Sequence, residues 1–318
     1  MNDARITDAS NKIYWLARRT PFLNSPLLDA AFGKRIFVKA ESLQLTGSFK
    51  VRGAIAALQA LPQGTGGVLA MSSGNHGQGV ALVAARLGLQ AVVLMPGDAP
   101  QIKIANTRAY GAEVVLYNRA TDDRDTLALA LCEERGLKLI RPFDDPDVIA
   151  GQGTVGVELD IDVEPHRVTS GDVIVCCGGG GLAAGIALAL EHRRPDLTVR
   201  TAEPQGFDDM ARSLTLGERQ VNAATAGSVC DAILTPSPGT LTFPILQRLA
   251  GPGLVVTDEE AMRAMALAFT HFRLVLEPGG AVALAAALFR DTSPNVICIA
   301  SGGNVDPAFF ADVLARYA

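Results

Sequence analysis

Thr46-Gly47-Ser48-Phe49-Lys50-Val51-Arg52-Gly53-Ala54 sets a lysine at a loop-to-helix junction, with an aromatic before it and glycines on either side. The apolar run Ala54-Ile55-Ala56-Ala57-Leu58 predicts a helix, so Lys50 falls at its N-terminal end, where the positive end of the helix dipole favours an unprotonated amine. A neutral lysine amine is a Schiff-base nucleophile. Taken alone, the stretch reads rather as a surface lysine with a solvated head, because most lysines are solvated and only an apolar pocket lowers a lysine pKa.

Three more stretches change that balance. Ser72-Ser73-Gly74-Asn75-His76-Gly77 and Gly178-Gly179-Gly180-Gly181 each stand between a strand-like run and a helix-like run, and Ser301-Gly302-Gly303-Asn304 follows the apolar run Asn295 to Ala300. A helix opening directly after such a turn points its free N–H groups back at it, which suits an anion. The tetraglycine follows Val173-Ile174-Val175-Cys176-Cys177 and opens a helix near Leu182. Its bare backbone can close on a phosphate, and four successive glycines cost more chain entropy than a simple structural turn requires.

With Lys50, these turns resemble the threonine dehydratase and serine racemase family of pyridoxal phosphate enzymes, which includes 3-hydroxyaspartate dehydratases. The likeness runs from Arg19-Thr20-Pro21 to Ser301-Gly302-Gly303. It implies an α/β chain of fold type II, similar to the β subunit of tryptophan synthase, with two parallel-sheet domains and the cofactor between them. Residues 1–59 and 146–318 would form the large cofactor-binding domain, and residues 60–145 a small mobile one. The chain's own rhythm agrees: β-branched runs at Gly67 to Met71, Ala91 to Met95, Val114 to Tyr117, Val173 to Cys177, Thr198 to Ala202 and Val296 to Ala300 alternate with helix formers at Val80 to Leu87, Arg124 to Glu134, Leu182 to His192, Met262 to Phe272 and Ala281 to Phe289. Such alternation predicts a parallel α/β sheet.

The resemblance also distributes roles. Lys50 would hold the cofactor and, once substrate displaces it, remove the Cα proton. Phe49 would pack near the pyridine ring, Asn75 would bond the 3′ oxygen, Gly178, Gly179, Gly180, Gly181 and Leu182 would cradle the phosphate, and Ser301 would meet the pyridine nitrogen. Ser72, Ser73, Gly74 and His76 would bind the substrate carboxylate, with Ser73 across from Lys50 as a candidate proton donor in racemases. A hydroxyl at position 301, unlike an aspartate, does not keep the ring nitrogen protonated, which weakens the electron sink and favours β-elimination over transamination. Glu203 and Asp209 with the Phe207 carbonyl match the family's divalent cation site, a donor set suited to Mg²⁺ or Ca²⁺; an acidic strand-to-helix turn with Asp208 or Asp209 as cap is the plain alternative. The implied activity is dehydration and deamination of threonine, serine or 3-hydroxyaspartate, with racemisation as the alternative, by a homodimer. Arg119 and Arg124, in a polar loop, are candidates for a second substrate carboxylate.

A different class competes on one motif. Gly179-x-Gly181-x-x-Ala184, with Glu203 further on, satisfies a loose dinucleotide fingerprint, yet a dehydrogenase leaves Lys50 and the other two turns without a task. So does a catalytically silent ligand-binding protein. Composition excludes more: 318 residues at 48% hydrophobic content suffice for two cores, and a net charge of -5 without a basic run argues against nucleic acid. The five cysteines form no C-x-x-C pair, which fits a reducing cytoplasm. No signal-peptide core or membrane-length apolar run is expected.

Overall fold

The structure is a computed structural model that describes residues 2–72, 74–99, 101–118 and 120–318 and, of Ile102, the backbone alone. Ser73 and Arg119 lie outside the described residues.

Ten strands are formed among the described residues: β1 (Phe22–Asn24), β2 (Arg35–Lys39), β3 (Gly67–Met71), β4 (Gln90–Pro96), β5 (Glu113–Tyr117), β6 (Lys138–Ile140), β7 (Gly171–Cys176), β8 (Leu197–Pro204), β9 (Leu254–Val256) and β10 (Asn295–Ile299). They assemble into a six-stranded sheet ordered β1-β2-β10-β7-β8-β9 and a four-stranded sheet ordered β5-β4-β3-β6. Every pairing of these strands is parallel except β1 with β2. β7 and β10 are buried along almost their whole length because helices cover both faces, which is why they read as continuous apolar runs without alternation.

The small sheet draws all its strands from residues 67–140, and the large sheet takes its strands from both sides of that span. Ligands in parallel sheets bind outside the carboxyl ends of the strands. Here β3, β7 and β10 each end at one of the glycine-containing turns.

Helix Pro146–Asp162 joins the two sheets and packs on helix Gly181–Arg193 and helix Lys50–Gln59. It starts where Asp145 accepts hydrogen bonds from Asp147 N and Val148 N, with Pro146 at its first position. The polar run Asp145-Pro146-Asp147 therefore marks the start of this helix. Among the described residues no helix is long and apolar enough to cross a membrane.

Candidate active site

The loop before Lys50 is stitched to the Ser301 turn. Ser48 bridges Gly302, Phe49 N donates to the Ser301 carbonyl at 3.1 Å, and Gly303 N donates to the Gly47 carbonyl at 2.9 Å. Thr46 and Gly47 both adopt the left-handed backbone region (φ 61° and 73°), and the Asn304 side chain fills the space where a Cβ on Gly47 would stand. Strain at Thr46 is held in place by Asn304 Nδ2, which donates to its carbonyl at 2.7 Å. These contacts bring Lys50, the first residue of helix Lys50–Gln59, over the end of β10.

The Lys50 side chain is half-buried in a cavity of about 310 Å³ lined by residues of both sheets. Its Nζ donates to the Pro142 carbonyl at 2.9 Å and lies 5.2 Å from the centre of the Phe49 ring. Burial pulls its pKa down to about 8, against a partial opposing effect from the neighbouring Cys176 and Glu277. The amine thus reaches its neutral, nucleophilic form near physiological pH. The surface-lysine alternative fails on this geometry.

The other expected residues converge on the same cavity. Phe49, Ser72, Gly74, Asn75, His76, the tetraglycine, Leu182, Ser301 and Arg124 all line it. Ser301 is buried and receives a hydrogen bond from the Cys176 thiol at 3.1 Å. Burial raises that thiol to about 11, so it stays a protonated donor and leaves the Ser301 hydroxyl proton free to point elsewhere. His76 Nε2 lies 2.9 Å from the Ile140 carbonyl; a carbonyl only accepts, so Nε2 carries the proton. Burial and the nearby Lys50 push its pKa down to about 3, making His76 a neutral packed residue at the start of helix Asn75–Leu87 and no general base.

Asn75 is held from two sides: its Nδ2 donates to Glu277 Oε1 at 2.5 Å and its Oδ1 accepts from Asn304 Nδ2 at 2.6 Å. Arg124 opens helix Arg124–Arg135 at the cavity rim, half exposed and 3.6 Å from Asp125.

Each glycine of the tetraglycine is enclosed. A Cβ on Gly179 would collide with the Phe143 ring and one on Gly181 with Phe143 and Gln152, while Gly180 takes a φ of 90° as the cap of helix Gly181–Arg193. The Ala184 N–H already bonds the Gly180 carbonyl, which leaves the N–H groups of Gly181, Leu182 and Ala183 for a ligand. Gln152 Oε1 and Thr235 Oγ1, of two cavity-lining residues, are buried without a partner. An amine of lowered pKa, an anion cradle, a free hydroxyl and orphaned polar atoms in one cavity fit a phosphorylated aldehyde cofactor.

Sequence reasoning missed Pro142, Phe143, Gln152, Cys176 and Glu277. Glu277 carried the best signal, an acid directly before Pro278-Gly279-Gly280 at the start of helix Pro278–Phe289. It is buried with Oε2 unpartnered, and burial raises its pKa to about 7 from 4.5, partly opposed by the Asn75 hydrogen bond. The folded chain holds this proton more tightly than the unfolded one. The stability it contributes is full below about pH 4.5 and is lost as pH rises through about 7. Thermal melts of the ligand-free protein should show Tm falling across that window, and Glu277→Gln should remove this part of the slope; an unchanged slope would place the titration elsewhere.

At the expected cation site, Glu203 at the end of β8 accepts from Met210 N at 2.9 Å and Ala211 N at 2.7 Å. It therefore caps helix Asp209–Leu216 from the preceding strand, a task neither Asp208 nor Asp209 performs. Each of its oxygens accepts one of these bonds, and the residue is buried beneath the helix start. Asp209 Oδ1 accepts from Asn222 Nδ2 at 2.6 Å, but its Oδ2 is buried and unpartnered. Among the described residues no group of three or more His, Cys, Asp or Glu side chains surrounds a metal position.

The model of the pyridoxal-phosphate dependent enzyme family matches residues 15–302. The chain is 40% identical over 316 residues to an L-threo-3-hydroxyaspartate ammonia-lyase of Pseudomonas sp, covering 97% of each. It is 38% identical over 316 residues to a serine racemase of Schizosaccharomyces pombe, covering 98% of this chain and 96% of that one. Among solved structures, a threonine deaminase of T.th. superposes with a TM-score of 0.92 at 44% identity, covering 96% of this chain and 99% of that one. The fold is that of the type II enzymes, and the chain belongs to the pyridoxal-phosphate dependent enzyme family.

Proposed function

We propose that this enzyme eliminates water from a small β-hydroxy-α-amino acid and so releases a keto acid and ammonia. The observation that carries the reading is the Lys50 amine, half-buried, with its pKa pulled down to about 8, in a cavity that also presents the Ser301 hydroxyl and the tetraglycine cradle. Bound pyridoxal phosphate supplies the electron sink that weakens the substrate Cα–H bond. Lys50 takes the Cα proton, with the Pro142 carbonyl fixing where its amine waits. The free N–H groups at the start of helix Gly181–Arg193 hold the phosphate, and those at the start of helix Asn75–Leu87 orient the substrate carboxylate. Ser301 would offer the ring nitrogen a hydroxyl rather than a carboxylate, which favours expulsion of a β-hydroxyl.

L-Serine, L-threonine and the 3-hydroxyaspartate isomers separate the readings: keto acid and ammonia should form in equal amounts. Racemised amino acid without keto acid would instead support the racemase alternative. We further infer a small mobile domain over residues 60–145 against residues 1–59 and 146–318, a homodimer, and a cytoplasmic location; the five free cysteines support the last.

Glu203, Asp209 and the Phe207 carbonyl are the proposed ligands of Mg²⁺ or Ca²⁺. Support comes from the unpartnered Asp209 Oδ2, from the burial that raises both acids, Asp209 to about 6, and from the like-charge repulsion of Asp209 on Glu203 and of Asp208 on Asp209. A divalent ion would relieve that repulsion, so millimolar Mg²⁺ should raise Tm by several degrees. Asp209→Asn should lose the response while keeping the helix cap made by Glu203. Equal responses in the two proteins, or none in the wild type, would count against the site.

A further inference from the structure

The cavity rim carries three cationic side chains besides Lys50: Lys103, Arg124 and Arg141. Lys103 is committed to Asp231 at 2.8 Å, and Arg124 has Asp125 beside it at 3.6 Å. Among the described residues the Arg141 guanidinium has no hydrogen-bond or ion-pair partner, although an arginine fork is built for a carboxylate.

The backbone places Arg141 between the two working parts of the site. It follows β6, which pairs with β3 with Ala70 opposite Ile140, so it stands beside the turn that begins at Ser72. The carbonyl before it, of Ile140, accepts from His76 of that turn. The carbonyl after it, of Pro142, accepts from the Lys50 amine. A substrate bound between the Lys50 amine and the start of helix Asn75–Leu87 would lie against the segment that carries Arg141, an exposed side chain on the lining of the same cavity.

We propose that Arg141 is the specificity-determining residue of the site, and that it receives a carboxylate carried on the β-carbon of the substrate. The preferred substrate class is then the dicarboxylic β-hydroxy-α-amino acid, with serine and threonine weaker because they leave the guanidinium unpaired. This rests on the elimination reading above and deepens it. It also shifts the second-carboxylate role from Arg119 and Arg124 to a residue that sequence inspection passed over.

The test is the ratio of kcat/KM for threo-3-hydroxyaspartate to kcat/KM for L-serine in the wild type, Arg141→Ala, Arg141→Lys and Arg124→Ala holoenzymes. Arg141→Ala should lower that ratio roughly tenfold to a hundredfold, the worth of a charge-assisted hydrogen bond. Arg141→Lys, which keeps the charge and loses the fork, should fall between. Arg124→Ala should change the ratio less than Arg141→Ala does. An unchanged ratio in Arg141→Ala, a larger fall in Arg124→Ala, or weakened cofactor affinity in place of a changed ratio would overturn the assignment. Succinate, a dicarboxylate that cannot react, gives a readout independent of turnover: its affinity for the holoenzyme should drop in Arg141→Ala by a similar factor, and equal affinities would contradict the proposal. If the wild type eliminates water from none of these amino acids while succinate still discriminates the variants, the elimination reading fails and the carboxylate site stands.

Discussion

Lys50→Ala is expected to lower kcat for elimination by more than roughly 10⁴-fold, the upper end of what one positioned proton-transfer group supplies, because the same side chain also makes the covalent link to the cofactor. The protein should still fold. Lys50 gives the native state a single hydrogen bond, to Pro142, and its depressed pKa shows that the charged form is disfavoured where it sits. Comparison of initial rates with Tm for the two proteins separates the effects. A variant that keeps activity within a hundredfold of wild type would remove Lys50 from the chemistry, and one that fails to fold would give it a structural task that the geometry does not.

The second large effect lies two residues further along the same helix and concerns stability. Arg52 is fully buried; its Nε and Nη2 donate to Glu41 at 2.8 Å each, and its Nη1 donates to Glu158 at 2.7 Å and to Thr154 at 3.1 Å. Lys39, also fully buried, closes the network by pairing with Glu158 and Asp162 at 2.6 Å each. The two acids hold the Arg52 pKa above its usual value, against the cost of burial. Arg52→Ala leaves the buried Glu41 without a cation and Glu158 with Lys39 alone, and breaking such a pair costs about 3–5 kcal/mol. Urea denaturation should show that loss. Arg52→Lys should recover only part of it, since an ammonium cannot make the two-pronged contact with Glu41. A loss below about 1 kcal/mol, the range of a surface pair, would mean the network is hydrated.

The network also shows why parts of the chain were illegible. Its members stand at positions 39, 41, 52, 158 and 162, so no local pattern announces them, and β2 was missed because Arg35 and Lys39 bracket it like a solvated segment. Helix Pro146–Asp162 was missed because Gly151, Gly153 and Gly156 read as breakers. They are close-packing positions: a Cβ on Gly151 would strike the Arg52 carbonyl, and one on Gly153 the Gly185 carbonyl of the neighbouring helix. β6 and β9 are three residues each, too short to show a period.

By contrast, β3, β4, β5, β7, β8 and β10 were legible because each runs for at least five residues and carries β-branched side chains. The same holds within the site. Lys50, the tetraglycine, Asn75, His76 and Ser301 belong to turns whose backbone demands are written locally, and the structure brings them to one cavity. Pro142, Phe143, Cys176, Glu277 and Arg141 are ordinary residues in sequence and acquire their places only when β6 aligns with β3 and β10 with β7.

Borohydride reduction of the holoenzyme followed by peptide mass analysis tests the central claim most directly, because it fixes the cofactor to whichever amine holds it. The account predicts that the added mass appears on the peptide containing Lys50 and on no other. Mass on Lys39 or Lys103, or no stable adduct with any lysine, would contradict it.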